Sequence, residues 1–111
     1  MRYRWLPLAV LLLANSARAQ TAAIAGAGVL PCSDYVKAAR SSDPAAAGFV
    51  AWAQGLMTGF NLARLDGGKS THPLGQGGEQ QAAFLLAWCL KHPDRQFVMA
   101  AMGLYRDLPR R

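Results

Sequence analysis

Phe49-Val50-Ala51-Trp52-Ala53-Gln54-Gly55-Leu56-Met57-Thr58-Gly59-Phe60-Asn61 is the stretch on which the fold turns. Phe49, Trp52, Ala53, Leu56, Phe60 and Ala63 recur at steps of three and four, the spacing of an apolar stripe on a helix. Ser41-Ser42-Asp43-Pro44 supplies a start, because Asp43 suits an N-cap and Pro44 a first helical position. Asp66-Gly67-Gly68 supplies a stop. The spacing therefore predicts one long helix from Pro44 to about Arg64. Gly55 and Gly59 lie four apart and stack on one side. Each costs about 1 kcal/mol in a helix interior relative to alanine. The pair predicts a notch where another helix crosses closely, so Gly55→Leu is expected to cost stability rather than binding. Gln54, Thr58 and Asn61 form a third, polar stripe. It reads either as a solvated face or as a polar network or recognition surface.

On the N-terminal side, Pro31 to Arg40 predicts a short helix. Pro31 suits its first turn, Asp34 the positive end of its dipole and Arg40 the negative end. Cys32, Tyr35 or Val36, and Ala39 share one face. On the C-terminal side, Asp66 to Gly78 is a loop with five glycines. So long a loop in so small a domain is mobile or functional. Glu79 to His92 predicts a third helix, apolar over much of its girth and hence central, which Pro93 ends. Asp94 is expected to cap a fourth helix, about Arg95 to Asp107, with Phe97, Val98, Ala101, Met102, Leu104 and Tyr105 as its apolar set. Trp52 and Trp88 should fill the core.

Residues 1–19 read as a secretory signal peptide. Arg2 and Arg4 form its positive start, Leu6 to Ala14 its short apolar run, and Ala17-Arg18-Ala19 its cleavage signature. The apolar run is too short to span a bilayer, which needs roughly 20 residues. Cleavage after Ala19 leaves nine Lys and Arg against six Asp and Glu, a net charge of +3 in place of +6. That balance gives no support to nucleic-acid binding, and no Lys/Arg cluster is interleaved with aromatics. Residues 20–30, small and uncharged with two glycines, read as a flexible lead-in. Residues 31–111 form the domain. Its two cysteines, Cys32 and Cys89, imply a disulfide in an oxidising compartment. The chain-entropy account gives roughly 4 kcal/mol for a loop from 32 to 89. The expected fold is all-α, a small four-helix domain with one disulfide, preceded by a signal peptide. The expected location is a periplasm.

No motif for catalysis stands out. Gly67-Gly68-Lys69-Ser70 lacks the first glycine of a phosphate loop, and neither a strand before it nor a helix after it is expected. Cys89 and His92 lie one turn apart, but Cys89 has a disulfide partner and His92 suits a helix C-terminus. Cys32, His72, Cys89 and His92 match no usual zinc spacing. The carboxylates sit at helix starts, loops and ends, with no pair spaced for acid/base work. No catalytic residue, cofactor or metal is expected.

Two segments carry a resemblance. Ala53 to Gly59 is similar to the glycine-spaced helix of the Rap/Tai immunity proteins, small exported helical proteins that neutralise type VI secretion amidase effectors. Gln80 to Met102, through Cys89-Leu90-Lys91-His92-Pro93-Asp94-Arg95, resembles the next helix of that family, its His-Pro break and its last helix. Members of that family usually carry further cysteines, including one near the C-terminus. More distantly, Cys32-Ser33-Asp34-Tyr35, the Gly48 to Asn61 helix and one later cysteine resemble the HdeA acid-stress chaperones, which are more charged and less aromatic. These resemblances imply an exported protein that acts by binding another protein, as an immunity-type inhibitor or an acid-stress chaperone. The expected partner is an effector or client protein, with a homodimer as a further option, and without nucleic acid or membrane once the leader is removed. The candidate surface is the Asp66–Gly78 loop with Gln54, Thr58, Asn61, Lys69 and His72. Gly55, Gly59, Trp52 and Trp88 are assigned to helix packing.

Overall fold

The computed structural model describes residues 23–75 and 77–109. The expected leader, residues 1–19, lies outside the described residues. A 3-10 turn at Gly26–Val29 is followed by α1 (Cys32–Arg40), α2 (Ala45–Asp66), α3 (Gly78–Lys91) and α4 (Phe97–Asp107). The expected four-helix, all-α architecture is therefore present, and so is the Cys32–Cys89 disulfide, which joins α1 to α3.

Local chemistry accounts for both ends of α2. An Asp43 carboxylate oxygen accepts the Ala45 N–H at 2.9 Å, satisfying one of the donors that a helix start leaves open. At the other end of α2, the Lys69 N–H returns to the Arg64 carbonyl at 2.8 Å. Gly68 has φ +71°, a left-handed conformation that terminates a helix and strains any residue with a Cβ.

The start of α4 departs from expectation. Asp94 does not cap it, and the helix begins at Phe97 after an extended Gln96. Residues 93–97 are drawn instead into contacts with the start of α1. Arg95 and Pro93 carbonyls accept the Cys32 and Ser33 N–H groups at 2.7 and 3.0 Å, and the Phe97 N–H donates to Leu30 at 2.8 Å. The α3–α4 link thus caps α1 by backbone, a long-range pairing that overrides the local cap signal.

The core lies where α1, α2 and α4 meet over the disulfide. Tyr35, Phe49 and Phe97 form a triangle of rings with centroids 4.9–5.4 Å apart, tilted as aromatic quadrupoles prefer. The Tyr35 hydroxyl donates to the Ala82 carbonyl at 3.1 Å. Burial pushes its ionisation upward, because a phenolate would lose its hydration. On α1 the buried positions are Cys32, Tyr35 and Ala38, with Val36 and Ala39 half-buried. On α2 they are Phe49, Ala53 and Met57. Trp52, Leu56 and Phe60 are half-buried beside them and Ala63 is exposed.

The notch assigned to Gly55 and Gly59 is corrected. Both are exposed, and a Cβ added to either meets nothing within 4 Å. At about 100° per residue, each lies some 200° from the Ala53 or Met57 two positions before it, on the far side of the helix from the core. The close approaches occur elsewhere. A Cβ on Gly28 would fall 2.1 Å from the Trp52 ring, and one on Gly103 would come 3.3 Å from Trp88. Trp52 and Trp88 are half-buried against the core rather than central to it. The Trp52 indole N–H donates to Ala25 at 3.0 Å. The Gly26–Val29 turn is thus a fitted cover over Trp52, and the flexible lead-in read into residues 20–30 does not describe this part of it.

Candidate functional site

Polar side chains on α2 were the starting point for a site, and the structure divides them. Asn61 is held in a network at the loop. Its amide N–H donates to the His72 carbonyl at 2.7 Å, and its carbonyl oxygen accepts the His72 backbone N–H at 2.9 Å. The Tyr105 hydroxyl donates to the same oxygen at 2.7 Å. His72 is 3% exposed. Its ring lies 4.2 Å from that of Tyr105, and Nδ1 sits 2.9 Å from the Leu108 carbonyl. A carbonyl only accepts, so Nδ1 carries the proton. The histidine fastens the loop to the end of α4 and is not presented to a ligand.

Gln54 is likewise engaged. It donates to the Gln81 side-chain oxygen at 2.8 Å, and Gln81, 2% exposed, donates onward to Leu74 at 3.2 Å. The polar stripe is therefore a network at Gln54 and Asn61, through which α2 grips the loop on both sides. Thr58 alone of the three faces solvent, its hydroxyl bonded back to Gln54 at 2.8 Å, as helical threonines commonly do. Lys69 is exposed in the loop that follows α2.

Of the expected partner-binding set, the accessible members are Thr58 and Lys69. The face of α2 that carries Thr58 is broader than the polar stripe. Ala51, Gly55, Thr58, Gly59, Leu62 and Leu65 are all exposed, Leu62 by 62% and Leu65 by 65%. Two large apolar side chains beside two bare glycines make a smooth, largely apolar strip down one helix. Both leucines were available to a helical-wheel reading, since they fall outside the core stripe. Gln81 and Tyr105 were not, because a glutamine at a helix start and a tyrosine in an apolar stripe give no local sign of pairing.

The structure also places the side chains weighed for chemistry in the sequence. The sulfurs of Cys32 and Cys89 are joined to each other, so neither serves as nucleophile or ligand. His92 stacks on Trp88 with ring centroids 4.3 Å apart. Lys69 and Ser70 lie in irregular backbone with no helix starting at them, unlike a phosphate loop. Among the described residues no three His, Cys, Asp or Glu side chains are grouped to hold a metal. No protein-family model, curated protein or solved structure matches the chain.

Proposed function

We propose that the protein works by binding another protein, with the exposed face of α2 receiving a helix of that partner. The observation that carries this reading is the exposure of Gly55, Gly59, Leu62 and Leu65 together on one side of α2. Exposed glycines in a helix interior are unfavourable on their own, by about 1 kcal/mol each. Their absent side chains let a second helix approach the backbone closely, and the leucines supply apolar area for it to cover. An exported immunity-type inhibitor of a secreted effector, as the Rap/Tai resemblance implies, fits such a surface, and a disulfide suits an oxidising compartment.

The test pairs capture with surface variants. Wild type should recover one stoichiometric partner from periplasmic extract. Gly55→Leu and Leu62→Asp should each lose it while unfolding no more readily than the parent. Retention of the partner by both variants, or failure to recover any, would overturn the reading. Recovery of an amidase would assign the inhibitor role. The second resemblance, to acid-activated chaperones, calls for an acid-sensitive contact. All six carboxylates are exposed, and suppression of client aggregation at about pH 2–3, read by light scattering, would decide for that reading.

A further inference from the structure

We propose that the groove between α2 and α4 binds a single-chain anionic amphiphile, an alkyl tail with a carboxylate or phosphate head. The groove has two lobes, of about 410 and about 300 Å³. Phe60 and Met102 line both, so the lobes meet there. The larger lobe is walled by Trp52, Leu56 and Val98, with residues 23–25 closing its remaining side, and contains no charged side chain among the described residues. The smaller one carries Arg64 and Arg106, which among the described residues are the only charged ones lining either lobe. One end is therefore apolar and the other cationic, with no carboxylate in the lining to neutralise it.

The dimensions suit such a ligand. Val98 and Arg106 are eight residues apart on α4, which places them about 12 Å apart along its axis. That length accommodates an alkyl chain of medium length, and each lobe is of the size small ligands occupy. Arg64 is already oriented, because its Nε–H donates to the Ser70 carbonyl. Among the described residues its terminal N–H groups make no hydrogen bond, and a guanidinium matches carboxylate and phosphate by paired hydrogen bonds. The groove uses a different side of α2 from the glycine face, so the proposal does not depend on the protein-binding reading.

The experiment is calorimetric titration of the purified protein with dodecanoate and with dodecyl phosphate, each below its micelle concentration. Dodecyl maltoside serves as the uncharged comparator, and Trp52 emission reports occupancy. The expected result is saturable one-to-one binding of the anions, about tenfold or more tighter than the maltoside, as paired charged hydrogen bonds imply. The stronger anion identifies the head. Arg64→Gln with Arg106→Gln should remove that preference and leave maltoside binding unchanged. Arg106→Gln alone, which keeps the Arg64–Ser70 contact, should weaken it in part. Met102→Trp should block all three ligands. Equal affinity for charged and uncharged heads, anion binding unchanged in the double variant, or binding to anionic vesicles without binding to monomeric amphiphile would overturn the proposal.

Discussion

Tyr35 and Gly28 show how single positions hold this fold. The Tyr35 phenol is raised in the folded protein by burial. Its contribution is thus fully present below the unfolded value of about 10. It is lost as pH rises from there through the folded value, since the unfolded phenol ionises first. Stability measured by urea denaturation should fall above about pH 10, and Tyr35→Phe should flatten that fall while costing about 1 kcal/mol at neutral pH for the bond to Ala82. Gly28→Ala should cost about 1–3 kcal/mol, because the new methyl overlaps the Trp52 ring and the indole must move. A red shift in tryptophan emission should accompany it. Tyr35 was legible in part, as one of two candidates for the buried face of α1, but its bond to Ala82 and the role of Gly28 were not. Gly28 sits in a small, uncharged run without period, and only the placement of Trp52 gives it a role. His72 and Gln81 were hidden for a similar reason, since polar residues in a loop or at a helix start read as surface until their partners are known.

At the scale of the elements, the helices were well announced. Asp43-Pro44, Gly67-Gly68 and Pro93 are local signals, and local signals survive folding. The start of α4 moved because Leu30, Cys32 and Ser33, far off in sequence, took the backbone groups of residues 93–97. The division of α2 into faces was the least legible. Its apolar residues spread around the helix, so periodicity alone did not say that Met57 faces inward while the glycines face out. Gly55→Ala and Gly59→Ala should therefore each stabilise the protein by about 1 kcal/mol in thermal or chemical denaturation, opposite in sign to the effect expected of a crossing notch. The loop is a fastened element. Asn61→Ala removes three hydrogen bonds and leaves the His72 backbone without its partners. It should cost about 2–3 kcal/mol, with hydrogen exchange rising across the loop amides.

For the whole molecule, the bridge is the largest single constraint. Cys32 and Cys89 are both fully buried. Replacing both with alanine should lower stability by roughly 4 kcal/mol, a large share of the 5–15 kcal/mol typical of a domain, as a denaturant midpoint would report. The disulfide was readable from the cysteine count because only one pairing exists. The candidate surface was not, because it depends on which side of α2 the other helices leave uncovered.

That same bridge has a topological consequence. It closes residues 32–89 into a covalent ring that holds α1, α2 and α3 whether or not the protein is folded. Among the described elements, α4 and the Gly26–Val29 turn lie outside the ring, as two arms clasped together where Phe97 meets Leu30. The arm at α4 brings Phe97, Ala100, Ala101, Leu104 and Tyr105 to the core. Its detachment would unseat those residues without breaking the ring. Detachment of α4 would therefore be a motion of an arm against a closed loop, and it would have to break the bonds that tie residues 93–97 to Leu30, Cys32 and Ser33.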